Sequence, residues 1–312
     1  MKKFALLLVA VFLTAISSSV FAKGTGTAPS IGSTHQYWVN GDFGSPSTGT
    51  TSKYTWWIST NADNLLERTT NDAHFTVITA NGGAAYNTEA EGKNGIEIKW
   101  NPSASTESYY YLVVQEVGTD PICTNMKAIA IRPTNNFSLL FEAIASDGTA
   151  TDNPSRCPAD ILLTASGAEI IYNYNSDNFM FKLTSSNLYS GWSLIGTIAE
   201  TLNTDVTVEY KIGETSSFET WTDQPNLTVP ANSSGTEVVY FRVNVNNGKT
   251  GDTAIEENTS EKTITLTLSN VKDEGNNLVT EIKNHNGDNI KATPVQTQTV
   301  KARPATSPIS SN

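Results

Sequence analysis

Apolar side chains recur at every second position in the clearest stretch of the chain, residues 95–100 (GIEIKW). Ile96, Ile98 and Trp100 alternate there with Glu97 and Lys99. A period of two is the signature of a strand with one buried face. Asn101 and Pro102 break the run, and residues 109–117 then predict a longer strand that is apolar on both faces and therefore central. After Gly118 and Pro121 the chain returns through residues 127–132, with Ile129 and Ile131 on one face and Ala128 and Ala130 on the other. Connections this short cannot hold a parallel crossover, so the strands are expected to be antiparallel.

The same pattern predicts strands at residues 34–39 (THQYWV), at 53–58 (KYTWWI) and around Phe75 and Val77, punctuated by Gly41, Gly44, Pro46 and the Asn81-Gly82-Gly83 turn. Residues 61–71 predict no more than a helical turn near Leu65 and Leu66. Beyond Asn135 and Asn136 the strand signal resumes at 137–145. Residues 170–174 and 179–183 read as a hairpin about Asn175-Ser176-Asp177. Val239, Phe241, Val243 and Val245 form a clean apolar face, with Ile264, Leu266 and Leu268 as its expected partner. No long amphipathic helix is present in the pattern, which excludes a regular βαβ enzyme fold. The fold class is all-β, with one sandwich at residues 34–135 and a second at 136–273. Residues 23–33, rich in Gly, Thr, Pro and Ser, read as a flexible lead. Residues 274–312, in which Ile282, Ile290 and Val295 are sparse, read as a polar tail or assembly arm.

The first 22 residues change the picture of where this chain works. Lys2 and Lys3 precede an apolar run, and Val20-Phe21-Ala22 offers a cleavage site, so residues 1–22 are expected to be a signal peptide removed after Ala22. The run is short for a bilayer span, and no transmembrane segment is expected in the mature chain. The formal charge of −11 becomes −13 when the two leader lysines are lost. Without a basic patch, such a chain repels nucleic-acid phosphate, and no nucleic-acid partner is expected. Export also makes a disulfide between Cys123 and Cys157 the favoured state of the two cysteines; on loop entropy it would stabilise by roughly 4 kcal/mol.

Candidate chemistry is sparse. His35, His74 and His285 lie in different contexts, no zinc spacing or phosphate-binding glycine loop occurs, and the acidic residues show no spacing that sets a pair across a glycosidic bond. No catalytic residue and no enzyme activity are expected. No cofactor is predicted; calcium is the alternative, through Asp147 and Asp152 in DGTATDNPSRCPAD, although EF-hand spacing is lacking. Trp56 and Trp57 are the informative aromatic pair. Neighbours on a strand face opposite sides, so one ring is expected to enter the core and the other to meet a partner protein, a glycan or the neighbouring sandwich.

SIGSTHQYWVNG, KYTWWI, GIEIKWNPSASTESYYYLVVQEVG, CTNMKAIAIRPTNNFS and KTITLTLSNVKDEGNN resemble exported PKD-like or immunoglobulin-like surface and secretion-associated proteins of Bacteroidota, over roughly residues 30–277. The resemblance implies two tandem sandwiches of those types and non-enzymatic attachment, matrix or assembly work. Its implied partners are cell-envelope or extracellular proteins, homotypic contacts included, at the cell surface or in an extracellular or periplasmic compartment. The final segment departs from members with a compact, strand-rich sorting domain. A carbohydrate-binding surface module is the alternative function, and a calcium-stabilised adhesin ranks behind it.

Overall fold

The structure is a computed structural model that describes residues 24–46, 52–70, 73–106, 108–119, 122–203 and 205–306. The expected signal peptide, residues 1–22, and residues 307–312 of the expected tail lie outside the described residues. All regular elements among the described residues are strands, in several mostly antiparallel sheets. No helix among them is long and apolar enough to cross a membrane.

Buried side chains fall into two separate clusters. The first lies between a four-stranded and a three-stranded sheet. The four-stranded sheet runs in the order Thr124–Ile131, Tyr110–Val117, Lys53–Ser59, Ala90–Glu91, and the three-stranded sheet in the order Thr34–Trp38, Gly95–Trp100, Phe75–Ile78. As the alternation predicts, Ile96, Ile98 and Trp100 are fully buried, and Tyr110–Val117 is flanked on both sides. Residues 60–70 form turns rather than a helix.

The second cluster lies between larger sheets. One is built on Ser138–Ile144, Ser176–Ser186, Val238–Asn246 and Val206–Ile212; the other on Val295–Val300, Lys262–Asp273, Trp192–Glu200 and Asn226–Val229. Val239, Phe241, Val243 and Val245 do meet Ile264, Leu266 and Leu268 in one core. They belong to different sheets, however, and face each other across the core instead of pairing edge to edge. The hairpin expected about Asn175-Ser176-Asp177 is also absent. Glu169–Asn173 pairs backwards with Leu162–Ser166 through the turn at Gly167, whose φ of 65° suits glycine, while Ser176–Ser186 pairs with Ser138–Ile144 and Val238–Asn246.

Residues 29–32 and 275–306 are more integrated than their composition implies. Instead of a loose lead, residues 29–32 run against the end of the first unit: Ile31 N donates to the Thr134 carbonyl at 3.0 Å and Thr134 N to the Pro29 carbonyl at 2.8 Å. Instead of a polar arm, the segment after residue 274 completes the second core. Val279, Ile282 and Val300 are buried in it, and Glu281–Lys283 pairs in parallel with Ser138–Ile144. Val295–Val300 reads as polar because its inward positions include Gln296 and Gln298. These bury amides that donate to the Phe141 carbonyl at 3.0 Å and the Met180 carbonyl at 2.6 Å, so the cost of burying a polar group is offset by hydrogen bonds.

Candidate functional site

The strand Thr124–Ile131 stands at the end of its sheet, bonded on one side to Tyr110–Val117 and on the other to nothing among the described residues. Its register sets Ile131, Ile129 and Lys127 opposite Tyr110, Leu112 and Val114, so all three carry the core-facing side of the sheet. Ile131 is buried, but Ile129 remains 42% exposed. Across from it lies Thr34–Trp38, an end strand of the three-stranded sheet. Between the two edges is an open groove of about 240 Å³, floored by Trp56, Leu112 and Val114 and walled by Tyr37, Val39 and Ile129. The sandwich is therefore open along this side, with Ile129 and Trp38 carrying the exposed apolar surface while Trp56, Leu112 and Val114 beneath them stay buried. Burial pushes the Tyr37 hydroxyl up to about 12 even though the Trp100 indole donates to it, so it stays protonated at neutral pH.

Trp38, at the rim of this groove, is exposed and meets Phe43 edge-on at 6.5 Å between ring centroids. Of the six tryptophans it is the one at the surface, and sequence reasoning passed over it. The signal was available: Tyr37 and Trp38 are adjacent on a strand, so one of them had to face outward.

Trp56 and Trp57 do face opposite sides, as the alternation requires, yet both are buried, at 3% and 1% exposure. Trp56 enters the first core and donates from Nε1 to the Lys93 carbonyl at 3.0 Å. Trp57 points out of the sandwich, where residues 60–70 cover it. Its Nε1 donates to the Leu65 carbonyl at 2.8 Å, and the Arg68 guanidinium lies 4.7 Å from the ring centroid. The chain thus supplies its own cover for the outward ring.

The expected disulfide is not formed. Cys123 and Cys157 are both free and exposed. Cys123 lies in the turn before Thr124–Ile131 of the first unit, whereas Cys157 follows the short strand Ser155–Arg156 of the second, so each is held on a different body.

Asp147 and Asp152 are also kept apart by separate tasks. Asp147 accepts from the Thr149 hydroxyl and backbone amide, which hold its carboxyl below the usual range and close a surface turn. Asp152 accepts from the backbone amides of His285 and Asn286 and from the Gln296 side chain, tying the chain's last segment to the second unit. Among the described residues no group of three or more His, Cys, Asp or Glu side chains comes together as a metal site would require. The three histidines are dispersed as well: His35 contacts Ser33, His74 contacts Tyr110 and His285 contacts Glu142.

The second unit carries one surface element of its own. Leu162–Ser166 and Glu169–Asn173 form a two-stranded hairpin outside both main sheets. Its register places Leu163 opposite Tyr172 and Ala165 opposite Ile170 on a single face. That face is open to solvent: Leu163 is 62%, Ile170 47% and Tyr172 42% exposed.

No protein-family model matches this chain, and no curated protein matches it. Solved structures give distant likenesses. The CooA pilin subunit from enterotoxigenic Escherichia coli is 13% identical over 53% of this chain and 99% of its own, with a TM-score of 0.26. Cadherin-like domains 1 to 4 of zebrafish RET are 8% identical over 81% of this chain and 42% of theirs, with a TM-score of 0.23. A Salmonella alpha-2-macroglobulin is 13% identical over 88% of this chain and 16% of its own, with a TM-score of 0.20. At such scores none of them bears on function; the all-β reading stands on the strands themselves.

Proposed function

We propose that this chain is an exported cell-envelope or extracellular structural protein, built of two tandem immunoglobulin-like or PKD-like sandwiches, that works through protein–protein contacts and without catalysis. The observation that carries the reading is the open side of the first unit. An edge strand with unpaired backbone groups lies beside an apolar groove, a combination that natural proteins usually cover or blunt. Strand addition supplies main-chain hydrogen bonds, and a groove accepts alternate side chains, so the same edge provides both affinity and selectivity. Export to the surface or beyond follows from the expected leader.

In-situ cross-linking of intact envelopes, with the cross-links mapped by mass spectrometry, tests this. Links from Lys127 to a defined partner are expected. Recovery of only a free, uncross-linked monomer would remove the assembly role.

A second reading, glycan recognition, is favoured by the exposed Trp38 ring at the groove rim with Gln36 beside it. Stacking of a sugar on that ring predicts a glycan-array signal lost in Trp38→Ala. Calcium has no comparable support, because Asp147 and Asp152 are occupied in separate turns.

A further inference from the structure

We infer that the partner of the open edge is a second copy of this chain: the hairpin of residues 162–173 of one copy adds alongside Thr124–Ile131 of the next and closes its groove. This rests on the assembly reading above and names the partner and both contact elements.

The first argument is energetic. A two-stranded hairpin alone in water is marginal, and it becomes stable when its apolar face is covered or a further strand is added. Here the face of Leu163, Ala165, Ile170 and Tyr172 is covered by nothing among the described residues. The groove beside Ile129 has the opposite need, since Ile129 on its wall is exposed and nothing among the described residues covers it. Docking one on the other removes both exposures.

The second argument is which edge remains available. The outer side of Glu169–Asn173 is already engaged, since Tyr172 N donates to Thr250 Oγ1 at 2.9 Å and Thr250 N to the Tyr172 carbonyl at 2.8 Å. Leu162–Ser166 is bonded only to its hairpin mate, so its outer edge is the one that can pair with another strand. Added beside Thr124–Ile131, it extends that sheet and lays the hairpin's apolar face over the groove.

The third argument is charge. In a chain of formal charge −11, residues 122–136 carry Lys127 and Arg132 and no acid. Lys127 makes no ion pair among the described residues. Between residues 161 and 173 the one charged residue is Glu169. A basic edge and an acidic hairpin attract each other, whereas two edges or two hairpins would set like charges together.

Because hairpin and edge belong to different units, the contact is heterologous. Each docked copy leaves one free hairpin and one free edge, and association propagates head to tail. Two added strands make a small interface, so the affinity per contact is expected to be on the order of micromolar.

Sedimentation velocity of the leader-free chain across the micromolar range tests this, with Leu163→Glu to disable the hairpin and Ile129→Glu to disable the edge. Native-like near-ultraviolet circular dichroism certifies each fold. Should Ile129→Glu unfold, the exposed Lys127→Glu on the same strand takes its place. The wild type is expected to form a concentration-dependent ladder, and each variant alone to associate more weakly by about tenfold or more. An equimolar mixture of the two is expected to form dimers and nothing larger, because one intact hairpin then meets one intact edge. A ladder that survives both substitutions overturns the pairing and leaves the assembly reading standing. So does loss of association in Leu163→Glu alone, which would mean hairpin meeting hairpin. A wild type that stays monomeric yet cross-links to a different envelope protein in situ also overturns the homotypic contact only. A monomer with no cross-linked partner overturns both readings.

Discussion

The Asn277 side chain donates to the Pro102 carbonyl at 2.7 Å and joins the two units at a point 175 residues apart in sequence. Asn277 is itself held by the Asp273 carboxylate, which accepts from its backbone and side-chain amides. Beside it Gly275 lies so close to Pro102 that a Cβ there would collide with the Pro102 carbonyl oxygen. The junction is therefore a packed contact in addition to a chain connection.

Gly275→Ala should open this junction without touching either core. A cost of about 1–3 kcal/mol is expected, since backbone has to shift to admit the methyl group. Differential scanning calorimetry checks it: a single coupled transition in the wild type should broaden or split into two as the units unfold more independently.

Trp56→Ala and Trp57→Ala should both act on stability. Each removes a buried ring and leaves a carbonyl, that of Lys93 or of Leu65, without its indole donor. A loss of about 3–5 kcal/mol is expected for each, read from the midpoint of chemical denaturation. If either variant keeps wild-type stability while losing association, the cover provided by the chain itself is not what holds that ring.

Ending the chain after residue 274 should unfold the second unit. Val279, Ile282 and Val300 would leave its core, and the sheet built on Lys262–Asp273 would lose the strand Val295–Val300. In the full chain, Gln298→Ala isolates one part of this effect: it strands the Met180 carbonyl at a cost of about 1–3 kcal/mol. Equilibrium denaturation followed by circular dichroism measures both.

Glu209 should contribute a stabilisation that disappears in acid. The Arg242 guanidinium, with Asn244 beside it, holds the Glu209 carboxyl below the usual glutamate range. A carboxyl depressed in the folded state favours folding above its unfolded pKa, near 4.5, and loses that advantage as the pH falls through the lower folded value. The pair is near the surface, so the contribution is expected to stay below about 1 kcal/mol. Glu209→Gln should lower the melting temperature slightly at neutral pH and leave it unchanged well below pH 4.

Both thiols should react with a thiol reagent in the native state, giving two equivalents before and after reduction. Cys123→Ser and Cys157→Ser should each change stability by less than about 0.5 kcal/mol, as exposed substitutions do. None before reduction and two after it would restore the bridge.

Much of this protein is written locally. Strands with one dry face announce themselves by alternation, so Ile96, Ile98, Trp100 and the row from Val239 to Val245 are readable without a structure, as is the all-β class. Alternation also shows that Trp56 and Trp57 cannot share a face. It cannot say what lies beyond the outward face, because that depends on where residues 60–70 fold back, and those turns have no periodicity of their own. The last segment was illegible for a related reason: Gln296 and Gln298 count as surface residues by composition, and only the carbonyls of Phe141 and Met180, brought alongside by tertiary packing, let their amides be buried. The cysteines depended on distance, and export alone does not bring Cys123 of one unit to Cys157 of the other. The open groove was least visible of all. Ile129 has the same local pattern as Ile131 and stands on the same edge strand, yet it is 42% exposed while Ile131 is buried, because residues 27–31 return against Arg132 and Thr134 and reach only the Ile131 end, a tertiary contact that no single strand carries.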